Sequence, residues 1–156
     1  LLGYPDENHS TILRRRLYVL FKSLEGVTHN SPRNLLTRIQ SRPYLISHLD
    51  TKAKALVIRQ YNKHHTYLHY WRFLHVVDML NNSNGNPIRI ESSNFPKHED
   101  SIEGSLMKHV QEAPYVHLRL RTASFICDIL ALGGFCKYLS MVNPKTSRPV
   151  VWIRKL

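Results

Sequence analysis

The sequence predicts an all-α protein, a bundle of four or five helices with an extended basic tail at its C-terminal end. Three observations carry that prediction. The stretch 59–80, RQYNKHHTYLHYWRFLHVVDML, runs without Gly or Pro and holds four histidines. At 3.6 residues per turn, Tyr61, Leu68, Trp71, Leu74 and Val77 fall toward one face, while Lys63, Thr66, His69 and Arg72 turn to the other. Leu13, Leu17, Leu20, Phe21 and Leu24 repeat at helical spacing earlier in the chain. Residues 125–142 are apolar nearly all round, the mark of a helix at the centre of a bundle.

In chain order, LLGYPDENHS is a polar lead in which Ser10 is placed to cap the first helix, and Gly26 is placed to end it. Arg14, Arg15 and Arg16 fan over more than half the circumference of its first turns, so at least one points away from the apolar stripe and can reach a phosphate. The bland alternative is a solvated face. Ser31-Pro32 opens a short second helix with Leu35, Leu36 and Ile39 on one side, and Pro43 interrupts it. Residues 44–49 read as another turn or two of helix. Asp50 then caps a long central helix that passes through Ala53, Val57 and Tyr61 into 59–80, with a kink expected at Asn62-Lys63.

NNSNGNP clusters turn formers and makes 81–104 a polar linker. Ile88 and Ile90 alternate within it but make a poor strand. Glu99, Asp100 and Glu103 are expected to supply negative charge at the start of the next helix. Helical pattern resumes at Ser105, with Leu106, His109 and Val110, and bends at Pro114 before the apolar final helix. Gly133-Gly134 inside that helix would cost about 1 kcal/mol per Gly relative to Ala, a cost that close approach of another helix or of an RNA backbone would offset. TSRPVVWIRKL is extended, basic and carries Trp152, suited to packing on a partner. The domain reading is one helical domain over 1–142 followed by a tail over 143–156.

Composition narrows the function classes. A chain of 156 residues with 42% hydrophobic content can bury an ordinary core without disulfides or metal. Lys and Arg number 22 against 11 Asp and Glu, a net charge of +11 that points to a polyanionic partner. The excess is present in both halves of the chain. The two cysteines, Cys127 and Cys136, sit in an apolar run and read as buried thiols in a reducing compartment. No apolar run approaches the roughly 20 residues that span a bilayer, so no membrane is expected. A first residue that is not Met reads as a fragment or a processed product.

Catalytic motifs are missing. His65 and His69 have the i, i+4 spacing of a helical zinc pair, but Thr66 stands where the zinc proteases need Glu, and neither Cys has a partner at finger spacing. No Gly-rich phosphate loop, nucleophile elbow or paired carboxylate is present, and Asp78 is the only acid between Asp50 and Glu91. No cofactor, no metal and no enzyme activity are expected. Imidazole, guanidinium and aromatic groups on one face suit phosphate and stacked bases better than acid–base chemistry. Arg14, Arg15, Arg16, Lys63, His65, His69, Arg72, Arg119 and Arg121 are therefore the candidate RNA contacts, with Tyr67 or Trp71 as a stacking surface.

Two blocks also resemble a known family. Asn62, Lys63, His64 or His65, Tyr70, Trp71, Leu74 and Val77, followed by Pro114, Tyr115 and the run Ala131, Leu132 and Gly133, are similar to the two conserved blocks of the small helical protein subunit of the nucleolar ribonuclease MRP particle and the related N-terminal domain of the nucleolus and neural progenitor protein family. The resemblance covers roughly 50–142. It implies an all-helical, non-catalytic protein that holds structured RNA beside other protein subunits of a ribosomal-RNA-processing ribonucleoprotein in the nucleolus. The charge and the basic tail also fit a mitochondrial ribosomal protein. A helical protein-interaction adaptor is the expectation from another class.

Overall fold

Ala55, Leu56, Val57 and Ile58 are four apolar residues in a row, a run that periodicity alone cannot assign to a buried strand or a buried helix. The computed structural model settles the choice for the strand. It describes residues 11–25, 44–60, 65–91, 98–111, 122–142 and 149–156. Among the described residues are four helices and two antiparallel three-stranded sheets, so the fold is mixed α/β and the all-α expectation is overturned. The chain divides into two compact units, Leu1–Leu74 and His75–Leu156.

The first unit begins with α1 (Thr11–Leu24), which buries Leu17 and Phe21 as its spacing predicts. The expected second helix, opened at Ser31, lies outside the described residues, as do Ser10 and Gly26. Where more helix was expected, the chain instead forms β1 (Tyr44–Asp50), β2 (Ala55–Gln60) and β3 (His65–His69), in the order β1-β2-β3. Asp50 uses the chemistry assigned to it, but to make a turn: its Oδ1 accepts the Ala53 N–H at 2.9 Å. Lys54 then takes a left-handed φ of 55° and the chain reverses into β2. The Tyr70 N–H donates to the Lys54 carbonyl at 2.9 Å, fixing the far end of β3 against this turn.

At Tyr70 the strand gives way to α2 (Tyr70–Asn82), the only helix among the described residues of 59–80. Phe21 stacks on Tyr70, with ring centroids 5.7 Å apart, and meets Phe73 edge-on at 4.7 Å. One face of the sheet, carrying Tyr44, Ile46, Leu56, Ile58 and Leu68, is fully buried. Beyond α1, Glu25 Oε2 accepts the Leu49 N–H at 2.9 Å, which covers part of the β1 edge. That bond and the nearby Lys22 ammonium hold the Glu25 carboxyl below its usual range.

The second unit contains the rest of α2, β4 (Ile88–Arg89), α3 (Ile102–Gln111), α4 (Ala123–Leu132), β5 (Cys136–Val142) and β6 (Pro149–Lys155). The expected tail is extended, but it is β6, the middle strand of the sheet β4-β6-β5, and so packs in its own unit. The linker supplies β4, which pairs Ile88 with Ile153. The apolar final helix is divided at its glycines. Gly134 has φ 76°, Phe135 N–H bonds the Leu130 carbonyl at 2.9 Å and Gly134 N–H bonds that of Ala131 at 3.1 Å. This is a Schellman stop, so the glycine pair ends α4 and does not admit a neighbour.

All residues from 123 to 130 are buried in α4. Thr122 offers its N-terminus no side-chain cap. The fully buried Glu103 serves instead, accepting the Ala123 N–H at 3.4 Å and setting a carboxylate at the positive end of the helix. Ser101 caps α3 by accepting the Gly104 N–H at 3.0 Å. A Cβ on Gly104 would lie 2.0 Å from the His98 carbonyl oxygen, so this position admits no side chain.

Phe21→Ala should lower unfolding stability by about 3–5 kcal/mol in urea titrations, because a buried ring and two aromatic contacts are lost. Val19→Ala, on the exposed side of the same helix, should change it by less than about 0.5 kcal/mol.

Candidate nucleic-acid interface

Cross-strand pairing decides which side chains of the first sheet share a surface. Arg59 is opposite both Leu45 and His65, Val57 is opposite His48 and Tyr67, and Ala55 is opposite Asp50 and His69. These nine residues form the face opposite to the buried one, with facing Cβ atoms about 5 Å apart. A register shift between Ile46 and His48 turns His48 onto this face. Arg59, His48 and His65 are exposed and Tyr67 is 41% exposed. Val57 and Ala55 are buried, so solvent meets the cationic and aromatic groups around them.

The electrostatics follow from where the carboxylates go. Glu25, Asp50, Glu91 and Glu103 accept the N–H groups of Leu49, Ala53, His98 and Ala123. Of these four acids only Asp50 lies on the outward face, at its end beside Ala55 and His69, and the other end around Arg59 carries no acid among the described residues. Arg59 has no acidic partner among the described residues. Lys52, in the turn between β1 and β2, adds a further exposed cation. His69 is half-buried. Desolvation, and then the charge of Arg72, push its imidazole below the ordinary value of 6.5, so at neutral pH it is an uncharged donor and acceptor.

The structure brings together only part of the expected site. His65 and His69 share the face with Tyr67, through strand alternation and not helical spacing. In a strand they stand about 13 Å apart, too far for one metal ion, and no group of three His, Cys, Asp or Glu converges among the described residues. Arg72 is 6% exposed, with its guanidinium 4.7 Å from the centroid of the Trp71 ring, and it does not present that charge to solvent. Arg14, half-buried, and the exposed Arg15 and Arg16 lie on α1 and not on the sheet. Lys63, Arg119 and Arg121 lie outside the described residues.

The helical reading of 44–49 and 59–80 singles out neither Arg59 nor His48, which strand pairing brings to one face. No polar–apolar alternation marks them: β2 opens with four consecutive apolar residues, and β3 sets Tyr67 beside Leu68.

Groups that could carry covalent chemistry are tied up. Cys127 and Cys136 are free and buried. Burial pushes the Cys136 thiol up to about 12 and the Cys127 thiol well above its ordinary value, which leaves neither as a thiolate. Ser105 Oγ lies 2.8 Å from His75 Nε2, but its own N–H is given to the Ser101 carbonyl and the preceding one to Ser101 Oγ. Neither remains to stabilise an oxyanion. No described helix is long and apolar enough to cross a membrane. No protein-family model, curated protein or solved structure matches this chain.

Two outcomes follow for the titrating groups. Because His69 is harder to protonate folded than unfolded, its contribution to stability is present above pH 6.5 and lost as pH falls through its depressed folded value. Urea midpoints measured from pH 7.5 to pH 5 should therefore fall less steeply for His69→Asn than for the natural chain. A maleimide should label neither Cys127 nor Cys136 in the native protein and both in urea.

Proposed function

We propose that this chain is a non-catalytic RNA-binding protein of a ribonucleoprotein, and that the outward face of its first sheet meets the RNA. The observation that supports this is the arrangement of Arg59, His48, His65 and Tyr67 on one exposed face, with an arginine that has no acidic partner among the described residues. A cation beside an accessible aromatic ring is what an unpaired base and its phosphate require: the ring stacks and the guanidinium takes the backbone charge. Imidazole nitrogens add donors and acceptors for sugar and base edges. The reading rests on this surface and not on the family resemblance, whose helical fold the chain does not adopt.

Phosphate contacts make such binding strongly dependent on salt and weakly dependent on sequence. Fluorescence anisotropy with a labelled RNA hairpin bearing a single-stranded loop tests the proposal. The full chain should bind at 50 mM salt and lose affinity steeply by 200 mM. Tyr67→Ala should cost about 5- to 100-fold, the range for one lost base stack. The Arg59→Ala, His65→Ala, Tyr67→Ala variant should cost more, while Lys108→Ala should not matter. Equal affinity of the triple variant, with its circular dichroism unchanged, would overturn the assignment.

A further inference from the structure

The second sheet has an outward face of its own. β6 pairs Trp152 with Arg89 on β4 and with Leu139 on β5, and two residues further along β6 pairs Arg154 with Lys137. These side chains share the face opposite to Cys136 and Ile153, which are buried, with Cys136 Sγ 3.9 Å from the Cys127 carbonyl of α4. α4 therefore covers the other side. Lys137 is exposed, and Arg89, Leu139, Trp152 and Arg154 are half-buried.

Two features give this face a ligand class. First, Lys137 and Arg154 are directly opposed like charges, an arrangement that weakens a strand pair, and neither has an acidic partner among the described residues. A bound anion lying between them would relieve that repulsion. Secondly, the next row along the strands, about 7 Å away, holds a cation–π pair: the Arg89 guanidinium carbon lies over the Trp152 ring, 5.0 Å from its centroid. Arg89 is held in place by Glu91 and His98, since its Nη1 is 3.9 Å from Glu91 Oε2 and 3.3 Å from His98 Nδ1, and His98 in turn bonds Glu91. The Glu91 charge offsets that of Arg89, so the pair serves as a platform more than as a cation. The cations that remain for a phosphate are Lys137 and Arg154.

From this cation–π pair beside two facing cations we infer that the outward face of the second sheet binds single-stranded nucleic acid, with a base on the Arg89–Trp152 platform and the adjoining phosphate between Lys137 and Arg154. An aromatic plane one residue row from two cations matches a nucleotide, whose flat base and charged phosphate are separate groups. A purely acidic peptide would use the cations and leave the platform idle. This surface belongs to the other unit and stands or falls apart from the first.

Trp152 supplies its own readout. In the 156-residue chain carrying Trp71→Phe it is the only tryptophan, and its fluorescence should be quenched by an eight-nucleotide oligouridylate at 50 mM salt and recover when salt is raised. Lys137→Glu sets opposite charges across the strand pair, so it should hold the sheet at least as well while weakening oligouridylate binding by 10-fold or more. Lys108→Ala, on α3 and outside this sheet, should leave the quenching constant within 3-fold. Three results would each overturn the inference: no quenching at saturating oligouridylate, affinity unchanged in Lys137→Glu, or equal quenching by polyglutamate, which would mark an acidic protein surface as the partner.

Discussion

The side-chain alternation of β2 and β3 is the constraint on which the rest depends. A strand sends successive residues to opposite faces, so a slip of one position would bring Arg59, His65 and Tyr67 into the core and expel Ile58, Thr66 and Leu68. Burial of the apolar set opposes that slip. The register is also held at one end, where Asp50 makes the turn that Lys54 completes and the Lys54 carbonyl takes the N–H of Tyr70. The chain leaves β3 at that residue and begins α2, so the bond that closes the sheet also starts the helix whose Tyr70 and Phe73 pack on Phe21.

Acids and bases divide the labour in this chain. Four of its carboxylates accept backbone N–H groups at a strand edge, a turn, a loop and a helix start. Such bonds stabilise because an unmet buried N–H is costly and an ionised acceptor is a strong one. The basic side chains have fewer internal duties. Arg59 on one sheet and the facing pair Lys137 and Arg154 on the other are left without acidic partners among the described residues. The net charge of +11 already counts every carboxylate as ionised; the fold decides where the basic excess meets solvent.

What the sequence disclosed depended on length and period. α1 was legible because its apolar stripe repeats over four turns, and the terminal extension was legible from its Val and Trp content. The buried strand β2 was not, because four consecutive apolar residues look alike in a strand and in a central helix. β3 was hidden by its neighbour: five residues of strand run directly into thirteen of helix without Gly or Pro between them, so a helical period imposed on the whole stretch absorbed both. Gly133-Gly134 was seen but given the wrong task, since a helix followed by a strand and a long kinked helix differ only in what the glycines terminate. At the site, the helical period groups His69 with Lys63 and Arg72, whereas the strand sets His65, Tyr67 and His69 on one face and Arg72 is buried in α2.

The most direct measurement is a nuclear magnetic resonance titration of the isotopically labelled chain with a single-stranded-loop RNA hairpin, following backbone amides. The account predicts shifts concentrated at His48, Arg59, His65 and Tyr67, with α1 unmoved. Shifts confined to α1, or spread evenly without a maximum on β2 and β3, would contradict it.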